Sequence, residues 1–201
     1  MEQQFDTVKI GMWLLLATEI LLFGGLFVGF GLMQHKYPQE FVEAHEHLKR
    51  WQGALNTVVL LFSSWTMVMA VNSAQTNQKA KQLRYLLITI VCAFIFLTVK
   101  YFEYTHKFSE GLFPAKFYSH TGDMIPGSHG YATFFAFYFM MTGLHGIHIV
   151  AGIGLLSWIY ARAKKDEFSD AYYTPVELVG LYWHIVDMIW IYLFPLYYLI
   201  T

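Results

Sequence analysis

The sequence predicts an all-α membrane protein: one domain over residues 1–201, built as a bundle of five transmembrane helices. Three observations carry that expectation. Hydrophobic residues make up 56% of the chain and charged residues only 13%, about half the ~25% charged share of an ordinary soluble domain. The apolar residues gather in five runs, at about 10–33, 54–73, 83–103, 131–161 and 176–200. At a rise of about 1.5 Å per residue, each run as a helix can cross roughly 30 Å of hydrocarbon. The runs are also apolar throughout instead of alternating, which excludes barrel strands, and helices satisfy their own backbone in lipid.

The elements follow in order. Before the first run, Met1-Glu2-Gln3-Gln4-Phe5-Asp6 lacks the basic start of a cleaved signal peptide, and the run is too long for one, so it is expected to stay as a helix. In the first loop, Phe41, Val42, His45 and Leu48 follow an i, i+1, i+4, i+7 pattern after Pro38. This spacing predicts a short amphipathic helix on the outer surface, its carboxylates and histidines solvated. Lys79, Lys81 and Arg84 crowd the short second loop, and Arg162, Lys164 and Lys165 begin the short fourth one. By the positive-inside rule both loops are cytoplasmic, which puts the N-terminus in the cytoplasm and the C-terminus in the periplasm. The longer first and third loops mix Lys36, Lys49, Arg50, Lys107 and Lys116 with Glu40, Glu43, Glu46, Glu110 and Asp123. Met124-Ile125-Pro126-Gly127 is a turn signal. The fourth run is the longest and is expected to tilt or protrude.

Composition excludes several classes of function. A net charge of −1 gives no reason to propose nucleic acid or an acidic substrate. A single cysteine, Cys92, cannot make an internal disulfide or a two-cysteine metal site, and within a hydrophobic run it reads as a small apolar filler.

The informative residues are the ionisable ones at membrane depth, where each costs roughly 2.5–3.5 kcal/mol on insertion scales. Glu19 lies well inside the first run. Its carboxyl has two open readings: a hydrogen-bonding link to a neighbouring helix, or a proton-handling site on a partner's proton path. His145 and His148 sit at i, i+3 in Thr142-Gly143-Leu144-His145-Gly146-Ile147-His148. That spacing puts both rings on one face, with Gly143 and Gly146 expected to admit a neighbouring helix. Two ligands fall short of a zinc or iron site, and interhelical hydrogen bonding is expected instead. On the last run Glu177, Gly180, His184 and Asp187 form one polar stripe that should meet protein, with His184 and Asp187 able to pair. Trp183 and Trp190 share a neighbouring face as packing anchors. Lys100, Glu103 and Lys107 make a charge ladder near the outer end of the third run, where long side chains are expected to snorkel.

These residues resemble a family. Tyr182-Trp183-His184-Ile185-Val186-Asp187-Met188-Ile189-Trp190, preceded by Glu177, resembles the last helix of subunit III of haem-copper oxidases, that is, cytochrome c oxidase subunit III. Thr142 to His148 is similar to its penultimate-helix motif, Glu19 falls where the family carries a buried glutamate, and Leu55-Asn56-Thr57 and Lys100-Tyr101-Phe102-Glu103-Tyr104 are similar to its other helix signatures. The matches run in order along nearly the whole chain. Many members have seven helices, and five resembles the shorter bacterial form, which includes quinol oxidases. The resemblance implies a non-catalytic subunit of a bacterial plasma-membrane oxidase that pumps protons in aerobic respiration. It implies no redox cofactor or metal in this chain, with haem and copper in partner subunits. It also implies packing on subunit I, subunit II in the same complex, bound phospholipid and a possible place in a respiratory supercomplex. Carried over, Glu19 is the carboxyl that handles protons or contacts lipid or a partner, while His145, His148, Glu177, His184, Asp187, Lys100 and Glu103 form a structural polar network. A quinol oxidase subunit or an accessory protein of nitric oxide reductase would keep the same fold. A proton-coupled transporter would also use midplane carboxylates and histidines, but the repeated halves and broken helices common in that class are not visible.

Overall fold

The computed structural model describes residues 2–46, 48–109, 129–169 and 172–199. Its helices are α1 (Glu2–Lys36), α2 (Pro38–Glu46), α3 (Arg50–Gln75), α4 (Lys79–Ser109), α5 (Gly130–Lys164) and α6 (Thr174–Tyr198). All except α2 are long and apolar enough to cross a membrane. Each expected run falls on its own helix, and most of the helices extend beyond the runs. Hydropathy locates the hydrocarbon slab, whereas polar flanking residues are compatible with further helical turns in the headgroup region. The turn at residues 124–127, with Glu110, Lys116 and Asp123, lies outside the described residues, as do Ile200 and Thr201.

α3 and α4 form a tight antiparallel hairpin, α5 packs on α4, and α6 sits between α3, α5 and α1. Large aromatic side chains set these contacts. Trp183 and Trp190 are both fully buried, as expected of packing anchors. Trp183 lies so close to α5 that a Cβ at Gly152 would stand 2.6 Å from its Cζ3, and a Cβ at Gly53 of α3 would meet the Tyr198 ring at 2.9 Å. The glycines singled out in the sequence behave differently. A Cβ added at Gly146 would find nothing within 4 Å, and one at Gly143 would meet only Tyr104 Oη at 3.8 Å. Rather than admitting a helix, they open a groove between α4 and α5 lined by Leu97, Tyr101, Ile147 and Val150. Cys92 is buried and unbonded.

The two short loops lie at one end of the bundle. Asn77 (φ 54°) and Asp166 (φ 60°) take left-handed conformations just beyond α3 and α5, a conformation that Asn and Asp adopt more readily than most residues. Lys79 pairs with Asp166, tying one loop to the other. At the opposite end, α2 departs from expectation. It is tucked against the bundle, with Phe41, Ala44 and His45 buried. Phe41 packs on Phe30 of α1 at 5.2 Å and on Phe134 of α5 at 5.4 Å, and both of those meet Tyr197 of α6. Its polar groups are not simply solvated either. Glu40 Oε2 accepts from the Gly130 and Tyr131 backbone N–H groups at 2.6 and 3.2 Å, capping α5. His45 Nδ1 donates to the Val42 carbonyl at 2.6 Å, which leaves Nε2 to accept from Arg50 Nη2 at 3.0 Å. Periodicity assigns Phe41 and Leu48 to an apolar face, but it cannot reveal the orphan N–H groups of a helix that starts some ninety residues later.

Candidate functional site in the bundle interior

Three polar groupings lie within the bundle. The first is a complete network. Lys100 and Glu103 of α4 are 7% and 2% exposed, so the pair is buried inside the protein and does not snorkel. Lys100 Nζ donates to Glu103 Oε2 at 2.9 Å, Tyr198 Oη at 2.9 Å and Tyr138 Oη at 3.3 Å. Both phenols in turn donate to Glu103 Oε1, at 2.7 Å from Tyr138 and 2.6 Å from Tyr198. The ammonium also lies over the Trp190 ring, 4.7 Å from its centroid, a cation–π contact that adds to the pairing. Every donor of the ammonium is used, which is the condition for a buried ion pair to be tolerated. Lys107 is buried as well, near the Phe135 ring at 5.8 Å. Sequence reasoning misses the two tyrosines: spacing can place them on inward faces, but not opposite a particular lysine.

The second grouping joins α1 to α5. His148 Nδ1 donates to the Leu144 carbonyl at 2.8 Å, and its Nε2 lies 2.8 Å from Glu19 Oε2. The distance is that of an ion pair, although the carboxyl oxygen lacks an aligned hydrogen bond. Because a carbonyl can only accept, Nδ1 carries a hydrogen. The Nε2 contact is then attractive only when a proton resides on the Glu19–His148 pair, on one partner or the other. His145 does not join it. Its ring is wholly buried between Phe96 (5.4 Å) and Trp190 (5.3 Å), and neither nitrogen has a hydrogen-bond partner. The two rings therefore meet different helices: the His145 side chain makes no interhelical hydrogen bond, and the His148 side chain reaches α1 through its close contact with Glu19. An i, i+3 offset separates two side chains by about 60° around the helix, enough for two different neighbours.

The third grouping lies between α3 and α6. His184 Nδ1 is 2.8 Å from Ser64 Oγ, so its partner is a serine and not Asp187 as expected. Asp187 is 2% exposed and lies beside Ser63 and Ser64, but neither carboxyl oxygen completes a hydrogen bond. Ser63 Oγ instead accepts from Trp183 Nε1 at 3.1 Å and donates to the Leu60 carbonyl at 2.9 Å. Glu177, Gly180 and His184 line a groove of about 270 Å³ with Val71, Asn72 and Gln75. The stripe is thus divided, with its outer members facing this groove and Asp187 facing the interior. Among the described residues, no three His, Cys, Asp or Glu side chains are grouped to hold a metal ion.

Comparison with known proteins identifies the family. A probable cytochrome c oxidase subunit 3 of Mycobacterium leprae is 29% identical over 195 residues, covering 97% of this chain and 89% of the relative. A probable quinol oxidase subunit 3 of Staphylococcus epidermidis is 28% identical over 199 residues, 96% of this chain and 88% of the relative. Its counterpart in Staphylococcus aureus is 25% identical over 193 residues, again 96% and 88%. The family model for cytochrome c oxidase subunit III matches residues 3–130 and 128–201. With five membrane-spanning helices and that match along its length, the chain belongs to the cytochrome c oxidase subunit III family, as a multi-pass bacterial membrane protein of a respiratory oxidase.

Proposed function

We propose that the chain is the non-catalytic subunit III of a proton-pumping terminal oxidase, stabilising the catalytic subunit and supporting its proton uptake. The observation that carries the proton-uptake part is the Glu19–His148 contact, since a carboxyl and an imidazole 2.8 Å apart can hold and release a proton. Glu19 lies on α1, where Ile20 (60% exposed) and Leu21 (74%) leave a broad apolar surface for a partner subunit. The redox centres belong to partner subunits, haem and copper among them, and phospholipid occupies apolar grooves of the bundle. The N-terminus lies in the cytoplasm and the C-terminus in the periplasm, so that the Lys79–Asp166 end faces the cytoplasm. Cytochrome c is the proposed electron donor. Quinol is the second reading, favoured by named quinol oxidase relatives at nearly the same identity.

Purification from native membranes tests the assignment. The chain should travel with a haem-containing catalytic subunit, and the presence or absence of a copper-binding subunit II tells the two donors apart. Glu19→Gln keeps shape and hydrogen bonding but cannot ionise. The complex carrying it should assemble normally and turn over more slowly at high pH, where protons are scarce. Turnover equal to wild type across the pH range would reduce Glu19 to a structural link.

A further inference from the structure

Among the described residues, Asp187 is a buried acid that the packing leaves unexplained. It is 2% exposed, and both carboxyl oxygens lack a hydrogen bond. No cation pairs with it among the described residues. Beside it stand the Ser63 and Ser64 hydroxyls of α3, and the Cys92 thiol of α4 lies within reach of its field. A carboxylate in that position has only the two serine hydroxyls at its side, and no counter-charge among the described residues, to replace the water it has lost, whereas a carboxylic acid is neutral and can itself donate. Access is visible. The α3–α6 groove holds Glu177 in the first turn of α6 and Gln75 in the last turn of α3, so it begins at the short-loop end of the bundle. It runs inward past Asn72 and Gly180 to His184. Gly180 keeps the wall thin, because a Cβ there would already lie 3.2 Å from Val71 Cγ2. At the inner end His184 Nδ1 is hydrogen-bonded to Ser64 Oγ at 2.8 Å, and Ser64 stands beside Asp187. His184 Nε2 has no protein partner among the described residues and is left for water in the groove.

The geometry points to the α3–α6 groove as a proton entry path that ends on Asp187, with His184 and Ser64 as its relay. In one inward passage, water in the groove gives a proton to His184 Nε2. Nδ1–H passes its proton to Ser64 Oγ, and the Ser64 hydroxyl proton goes to the Asp187 carboxylate. One proton enters and one is bound, the water is left as hydroxide to be neutralised by bulk solvent, and His184 changes tautomer. Turning of the ring or the reverse passage resets the relay. Asp187 is therefore a proton store in equilibrium with the aqueous phase on the short-loop side, separate from Glu19 on α1.

Infrared spectroscopy of the full chain in detergent tests this directly. A protonated carboxyl band should be present, should vanish in Asp187→Asn and should shift on transfer to D₂O. Ser64→Ala and His184→Gln each break the relay with little change in volume. Both should keep the band and slow its D₂O shift by about tenfold or more, the effect of one lost transfer step of ordinary barrier. Circular dichroism confirms that each variant is folded, and either one suffices if the other is not. A spectrum in which Asp187→Asn removes no band would show that Asp187 stores no proton. An Asp187 band that exchanges at the wild-type rate in the folded relay variants would show that the proton arrives by another route.

Discussion

Replacing Lys100 with methionine probes the strongest electrostatic element of the fold. The substitution keeps most of the side-chain volume and removes the ammonium that Glu103, Tyr138 and Tyr198 surround. Glu103 retains its two phenol donors at 2.7 and 2.6 Å but loses its counter-charge at 2.9 Å. Breaking a buried pair by removing one partner costs about 3–5 kcal/mol, and at 7% exposure Lys100 has little solvent to soften the loss. The partner change Glu103→Leu strands the ammonium in the same way. The double variant Lys100→Met/Glu103→Leu leaves no charge, and the two phenols remain to bond each other. Its cost should fall below the sum of the singles by about 2 kcal/mol, in the range measured for residues in direct contact. Unfolding of the chain in mixed micelles, followed by circular dichroism, gives the four stabilities. Trp190 fluorescence reports the site itself, because the ammonium lies 4.7 Å from its ring. Costs that add to within about 0.5 kcal/mol would show that the two charges do not depend on each other, and the buried-pair argument would fail.

Other outcomes follow from the packing. Gly152→Ala should destabilise by about 1–3 kcal/mol in the same assay, since its Cβ would meet Trp183 at 2.6 Å, while Gly154→Ala, with nothing within 4 Å, should be neutral or slightly stabilising. Glu40→Ala should cost about 0.5–2 kcal/mol through the lost α5 cap and expose the Gly130 and Tyr131 amides to faster hydrogen exchange; Glu40→Gln, which keeps an acceptor, should cost less. Lys79→Ala should change stability by no more than about 1 kcal/mol, because Lys79 and Asp166 are 39% and 72% exposed. A reporter active only outside the cytoplasm should work when fused after Thr201 and fail when fused near Lys81; the reverse pattern would overturn the proposed orientation.

The helices are legible in the sequence because a spanning helix is a long, uniform signal that needs no partner to be recognised. The same holds for the short helix after Pro38, whose apolar face is written in its own spacing. Interior contacts are legible only where one side chain dominates. Trp183 and Trp190 are large enough to be anchors in any packing, but the glycine that receives Trp183 lies on another helix, and nothing near Gly152 marks it out over Gly143 or Gly146. Spacing within one helix overstates its polar pairings. His184 and Asp187 are close in sequence, yet both stand beside Ser64 of α3 and do not pair with each other, and His145 and His148 turn towards different helices. An i, i+3 spacing says that two groups can meet; the choice of partner is made by whatever stands across the interface, here Ser64, Glu19 and an aromatic sandwich. The position of Lys100 in its run suggests the outer end, whereas the two tyrosines that make its burial tolerable come from α5 and α6.

The place of α1 bears on how the protein is made. Its main partners in the spanning bundle are α5 and α6, whereas α3 and α4 pack chiefly on each other and on the helices after them. A chain synthesised from its N-terminus therefore delivers its first helix to the membrane long before the surfaces that hold it exist. Until α5 arrives, Glu19 has no His148 and Glu40 has no helix end to cap. During that interval α1 and α2 form a waiting half, exposed to lipid and open to capture by a neighbouring subunit. The closing step of folding is then the docking of the last two helices onto the first, so a truncation after α4 should leave a stable α3–α4 hairpin beside an undocked α1.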